Sequence, residues 1–410
     1  MSEEKKKCKY KSELTGWECP YELLEDSKEG FCIFHERRMD KDLKKFNHEI
    51  GRIGPDKNSG NYHYEGFFFP SSIDFSGLKF GKSVYFNNSV FCGENTDFRK
   101  AEFLGNHTCF NHTKFQGKTT NFDLAEFTGT SCTFVETKFL SESTSFNGTR
   151  FSTEFTSFSR SEFSSEITRF VVTQFLRGKT EFTQIDCKNR IEFYGTSFHT
   201  GVTFSEVDLR KCLFLKMDLS NADFSLLSWD WRNKLSNELD IDWILEKERI
   251  EKSELFFKTS EIYRQLKVQF HNKRDFAKAG MFHFREQECK RKALKPLSFD
   301  FFNWVFLWIL KVSCGYGEKL WNVGITSISL IFVFGIGYMF LGLYNVNNQS
   351  VVKDFWTSLV FSVKGFFPLW RFQQYKVVGD FANLIAGLEF LLGAFMVGLF
   401  IYVFRRRMDK

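Results

Sequence analysis

Four side chains near the start of the chain carry a set of metal-ligand atoms. Cys8, Cys19, Cys32 and His35 occur as Cys-x10-Cys-Pro-x11-Cys-Ile-Phe-His. Three thiolates and one imidazole complete a tetrahedral shell for Zn²⁺, and the closing Cys-x2-His places two ligands on one tight turn. With four protein donors no position stays open for water, so such a site is structural. A segment this short would draw its folding energy from the metal. The gaps of ten and twelve residues are looser than in common zinc fingers, so free thiols beside a surface histidine are the alternative.

A second group lies towards the other end. Glu389 stands about eight residues into an apolar run, where a carboxylate is costly and is either paired or functional. Lys364 is its candidate partner. The two read either as a structural ion pair or as the lining of a conduction path. Gly393 and Gly398 interrupt the same run. Each lowers helix stability by roughly 0.8–1.0 kcal/mol relative to Ala, which suits a gating hinge or a close helix contact. No paired carboxylates, nucleophile–base set or phosphate-binding loop stands out, so enzymatic chemistry is not expected.

Composition limits the elements that can position these groups. The 410 residues include 54 Phe but only 5 Pro, and 56 basic against 50 acidic residues give a formal charge of +6. With 43% apolar and 18% aromatic residues the chain is not low-complexity disorder. The small charge excess argues against a nucleic-acid partner. No Lys, Arg, Asp or Glu occurs from Leu320 to Val352, which argues against a wholly soluble protein. The opening MSEEKKKCKY has no apolar core, so the ten cysteines are expected to be reduced and cytosolic.

The phenylalanines form a ladder. From Phe91 through Phe98, Phe103, Phe110, Phe115 and on to Phe182, steps of seven and five alternate. Beyond Cys187 the spacing relaxes towards five, as in Leu219-Ser-Asn-Ala-Asp-Phe224. Such a step fits neither a helix of about 3.6 residues per turn nor a flat strand alternating every two. It fits a chain that turns a corner every few residues and sends one large side chain inward from each face. A small residue two positions earlier, such as Ala101, Ala125 or Ala222, recurs, with Ser or Thr elsewhere.

This pattern resembles the pentapeptide-repeat family, which implies a right-handed quadrilateral β-helix. The seven-residue steps depart from the family pattern and read as two-residue bulges at alternate corners, giving coils of about 24 residues stacked roughly 4.8 Å apart. About six coils are expected from Phe75 to Phe224. Some relatives in that family mimic DNA. Here 17 basic and 17 acidic residues balance over that span, so the mimicry reading is disfavoured.

Five regions follow: residues 1–50, a zinc-knuckle-like segment and linker; 65–230, the β-helix; 231–296, a cytosolic helical connector; 297–319, an interfacial helix; and 320–410, a membrane module. Within the connector, Ser260–Phe270 and Arg274–Glu288 read as an antiparallel helix pair turning near Asn272–Asp275. The basic run Lys290-Arg291-Lys292 precedes the aromatic stretch FDFFNWVFLWIL, which is too short to span and suits the membrane interface. Cys314-Gly-Tyr-Gly-Glu318 contains a potassium-filter tripeptide, but it precedes both spans and reads as a turn. Spans are expected at 320–344 and 381–404, with both termini cytoplasmic at the inner membrane because Arg405-Arg406-Arg407 and the earlier basic run flank them.

Between the spans, Phe355-Trp-Thr-Ser-Leu-Val-Phe-Ser-Val resembles a pore helix over 354–364, and Leu388-Glu-Phe-Leu-Leu-Gly-Ala-Phe-Met-Val-Gly-Leu-Phe400 resembles an inner helix. The match is to the two-transmembrane ion channels of potassium-channel type. The whole chain resembles bacterial proteins that fuse pentapeptide repeats to such a pore. The resemblance implies a homo-oligomer, of tetrameric type, in the bilayer, conducting ions and gated by a cytosolic sensor that binds a ligand or protein. In place of a Gly-rich filter the chain has Lys364, Gly365, Phe366, Phe367 and Pro368, so potassium selectivity is not expected. The rival expectation is a non-conducting, membrane-anchored scaffold that uses the β-helix as an interaction surface.

Overall fold

The computed structural model describes residues 6–227, 234–296, 299–367 and 375–408. The chain divides into two compact units, residues 1–250 and 251–410.

The first unit is a parallel β-solenoid of about seven turns. One turn contributes four short strands, for example Phe68–Phe69, Ile73–Asp74, Lys79–Phe80 and Val84–Tyr85. Val84, Thr108, Cys132, Thr156 and Thr180 stand above one another, 24 residues apart. Val202 follows after 22 and Ala222 after 20, so the coil shrinks where the sequence spacing relaxes. The solenoid starts at Tyr62, earlier than the Phe ladder announces, because Tyr64, Phe67 and Phe69 already fill inward positions.

Each step of the ladder has its own backbone device. The five-residue steps turn through one left-handed residue two positions after a Phe: Asn88, Lys100, His112, Leu124 and Glu136 all have φ between 54° and 60°. The seven-residue steps carry the two extra residues in a bend and a longer strand such as Asn95–Asp97. At Gly93 a Cβ would lie 2.1 Å from the backbone of Ser71 in the turn below, so this bend has no room for a side chain.

The interior is made of ring columns. Phe86, Phe110, Phe134 and Phe158 stack with centroids 4.8, 4.9 and 4.8 Å apart, which is the strand spacing itself. Neighbouring columns meet edge to face, as Phe122 meets Phe134 at 5.7 Å and 87°. The small position two before alternate rings also has a physical role. The buried hydroxyls of Thr113, Thr137, Thr149 and Thr173 donate to the carbonyls of Phe86, Phe110, Phe122 and Phe146 at 2.6–2.7 Å. These bonds give the corner carbonyls a partner in a dry interior.

Both ends of the solenoid are covered. At the start, Phe34 stacks on Phe67 (4.7 Å, 6°) and Phe46 of helix α1 (Leu43–Ile50) meets Phe69 edge-on. Lys41 is buried and donates to the carbonyls of Ile33 and Phe68, both at 2.8 Å. The otherwise largely exposed linker thus sends Lys41 and Phe46 into a cap over the first coil. At the far end α2 (Ser236–Leu239) and α3 (Ile241–Glu248) follow. The Asn237 amide donates to Phe214 O at 2.6 Å and accepts from its N–H, standing in for a further rung of the ladder. An exposed sheet edge invites pairing with another chain, and such caps prevent it.

The second unit is helical. Helices α4 (Lys252–Asn272) and α5 (Phe276–Ala293) pair through Tyr263, Leu266, Phe270 and Phe282, turning near the expected connector. Helix α6 (Phe301–Cys314) follows, then α7 (Leu320–Leu341), α8 (Phe355–Phe366) and α9 (Asp380–Met408). Helices α7 and α9 are long and apolar enough to cross a membrane. Their apolar side chains point outward, with Val333 65%, Phe340 72% and Ile401 60% exposed, unlike the core helices of a soluble unit. A three-stranded antiparallel sheet, Leu343–Asn345 between Ser350–Val352 and Tyr375–Val377, brackets α8.

Candidate functional site

The four predicted metal ligands come together. Cys8, Cys19, Cys32 and His35 are all buried, and their ligand atoms lie within 4.8 Å of one another. Cys19 Sγ is 3.7 Å from Cys32 Sγ, and His35 Nδ1 is 3.5 Å from Cys8 Sγ and 3.3 Å from Cys32 Sγ. A tetrahedral ion with bonds of about 2.3 Å to sulfur and 2.0 Å to nitrogen has edges of about 3.8 and 3.5 Å. Three of the six donor–donor distances thus match the edges of an occupied shell, all lie within 4.8 Å, and the set could hold a metal ion.

The surroundings support that chemistry. His35 Nε2 lies 2.8 Å from the carbonyl of Glu65, which fixes the hydrogen there and leaves Nδ1 for the ion. The Cys32 N–H donates to Cys8 Sγ at 3.2 Å, a bond suited to a thiolate. The Tyr10 ring stacks on His35 at 3.9 Å. Contacts with Cys19 and Cys32 hold the Cys8 thiol well below its usual range, and contacts with Cys32 and Cys8 push Cys19 well above it. Without a cation the pocket tolerates one thiolate and resists the others. A divalent ion removes that conflict.

In the helical unit Glu389 is 1% exposed and is met by two hydroxyls, Tyr338 on α7 at 2.6 Å and Ser362 on α8 in a short contact. The carboxylate therefore ties α7, α8 and α9 together. Among the described residues its hydrogen-bond partners are these hydroxyls, whereas the sequence suggested Lys364. Sequence reasoning missed Tyr338 and Ser362 because nothing local marks them, and only the α7–α8–α9 packing brings them to one point.

Helix α8 continues two residues beyond the expected pore helix, into the filter position. Helix α8 runs through Lys364, Gly365 and Phe366, so these three are helical and do not form an extended strand of carbonyls. Phe367, the C-cap, turns extended (φ −92°, ψ 111°), as a residue before proline must. Pro368 lies outside the described residues. The two central glycines permit close approach. A Cβ at Gly365 would lie 3.0 Å from Glu389 Oε2, and one at Gly393 would lie 2.0 Å from the carbonyl of Phe366. Gly398 has open space around it.

The Gly315-Tyr316-Gly317 tripeptide is a left-handed turn between α6 and α7, with φ of 54°, 56° and 84°. Tyr316 donates to Glu288 of α5 at 3.1 Å, and Lys311 and Arg291 reach the same carboxylate at 2.9 and 2.8 Å. Glu318, just after the turn, pairs with Arg406 near the end of α9 at 2.7 Å. The turn thus meets α5 through the Tyr316 hydroxyl, and Glu318 just after it meets the foot of α9. No family model, no curated protein and no solved structure matches this chain.

Proposed function

We propose that the protein is an ion channel of two-transmembrane type, a homo-oligomer whose α7 and α9 cross the inner membrane with both ends in the cytoplasm. The reading rests on α8. A twelve-residue apolar helix held between two spanning-length helices, with its last turn pressed against Gly393 and Glu389, has no use in a simple anchor. A lone copy would leave loop backbone facing lipid, so several copies, of tetrameric type, surround the path. The solenoid, right-handed and quadrilateral in this reading, is the cytosolic sensor. The Cys8–Cys19–Cys32–His35 centre holds structural zinc, with all three thiolates and His35 Nδ1 as ligands.

Selectivity follows from residue types. Potassium selection by backbone carbonyls needs an extended, glycine-rich filter, and Lys364-Gly365-Phe366 as a helix does not supply one. The pore is accordingly not potassium-selective. Purified protein in planar bilayers, with reversal potentials recorded in K⁺, Na⁺ and Cl⁻ gradients, tests this. Currents without K⁺ preference support it, strong K⁺ selectivity overturns the filter reading, and silence in every condition turns the protein into an anchored scaffold.

A further inference from the structure

Beside the N-terminal cap three side chains stand in series. Ser59 Oγ is 2.9 Å from His63 Nε2, and His63 Nδ1 is 3.0 Å from Glu65 Oε1. Glu65 is fully buried and accepts hydrogen bonds from the hydroxyls of Ser12 and Thr15. Two hydroxyls already donate to the Glu65 carboxyl, and with its hydrogen on Nδ1 the neutral His63 imidazole turns its Nε2 lone pair to the serine hydroxyl. The imidazole cannot turn away, because it is stacked between Trp17 (4.9 Å, 4°) and Tyr85 (5.2 Å, 19°). Ser59 itself is exposed, on a turn held by Asp56, whose carboxylate accepts from the N–H groups of Asn58 and Ser59 at 2.9 Å.

We propose that Ser59 is a nucleophilic serine, with His63 as its general base and Glu65 as the positioning residue that fixes the imidazole's tautomer and angle. A histidine that merely filled the cap would be satisfied by Glu65 and two flanking rings. Directing its free lone pair at an exposed hydroxyl is the arrangement that nucleophilic catalysis needs. The reaction class is acyl transfer from an activated carboxylic ester. Ser59 Oγ bonds to the acyl carbon while its proton passes to His63 Nε2. The ester C–O bond breaks, and the leaving oxygen takes that proton. Water repeats the sequence on the acyl-serine, releasing the acid and restoring Ser59. The Asn58 and Ser59 amides are engaged by Asp56 and the Asn61 amide by Ser59 Oγ. The turn therefore adds no obvious pair of donors for an oxyanion, which restricts the substrate to esters with a good leaving group and excludes amides.

The test uses the full-length protein in mild detergent with a fluorophosphonate probe, which bonds through phosphorus to a reactive serine and releases fluoride. Peptide mapping gives the rate at each serine. Ser220 is the internal reference: it is exposed and its N–H is likewise held by an aspartate, Asp218, at 2.9 Å. Ser59 is expected to label about a hundredfold faster than Ser220, the lower end of what a positioned base contributes. His63→Gln brings Ser59 down to the Ser220 rate. Glu65→Gln slows Ser59 while leaving Ser220 and the far-ultraviolet circular dichroism unchanged. With p-nitrophenyl acetate, a burst of one phenolate per chain disappears in Ser59→Ala, an exposed position where folding is not at stake. Equal labelling of Ser59 and Ser220 in the unmutated protein, or a burst that survives Ser59→Ala, overturns the proposal. Neither readout involves conduction, so the channel reading stands or falls separately.

Discussion

Phe134→Ala is a direct test of the ring-column core. Phe134 has no exposed surface and stacks between Phe110 at 4.9 Å and Phe158 at 4.8 Å, with Phe122 and Phe146 edge-on at 5.7 and 5.8 Å. The backbone at this level is fixed by ladder bonds to the turns above and below, including Phe134 N–H to Ser157 O at 2.7 Å, so the space cannot collapse. Removal of a buried aromatic ring in such a site costs about 3–5 kcal/mol. A solenoid is stabilised turn by turn through its neighbours, so the loss should stay local. Hydrogen exchange followed by mass spectrometry on the full chain reads it. Amides of the turns containing Phe110, Phe134 and Phe158 should exchange roughly 150- to 5,000-fold faster, with protection near Phe80 and Phe214 retained. A loss below tenfold, or one spread evenly along the solenoid, would show that the columns are not what holds the turns together.

Other consequences are equally specific. Elemental analysis should find one zinc per chain, and Cys32→Ser or a strong chelator should remove it and deprotect residues 6–50, since a structural zinc contributes on the order of 10 kcal/mol. The helix pair should be acid-labile. Burial alone would raise the carboxyls of Glu286 and Glu288, but His283, Lys267 and Lys290 around the first and Arg291 and Lys311 around the second outweigh it and hold each at about 2. A depressed folded-state value gives stability that is complete above the unfolded carboxyl range and is lost as pH falls from about 4.5 towards 2, on the order of 3 kcal/mol per group. Denaturation of Glu288→Gln should show a shallower acid slope than the unmutated protein. Gly393→Ala should lower the melting temperature in detergent because its Cβ meets backbone, whereas Gly398→Ala, with open space, should raise it by the equivalent of about 1 kcal/mol.

The apolar helices, the helix pair and the solenoid could all be read along the chain, because each obeys a local period: apolar runs, helical spacing, or one ring every five or seven residues. The ligand set Cys8, Cys19, Cys32 and His35 was equally visible, since thiols and an imidazole in that number point to a metal whatever the fold. The charged stretch Glu36–Lys45 is mostly exposed, as its composition suggests, and Lys41 alone within it is buried because the first coil needs covering.

What only the tertiary structure decided are the partners that sit far apart in sequence. Glu389 finds Tyr338, 51 residues away, and Ser362, 27 away. Tyr316 finds Glu288, 28 away. Ser59, His63 and Glu65 are close in sequence and still escaped notice, because strand residues two apart normally share a face with nothing between them to suggest a relay. The hydroxyls that hold the buried Glu65 carboxyl and the rings that aim His63 come from Ser12, Thr15, Trp17 and Tyr85. Periodicity determines which elements form, because it acts through neighbouring bonds. The meeting of polar groups across elements depends on how those elements pack, and no local pattern encodes that.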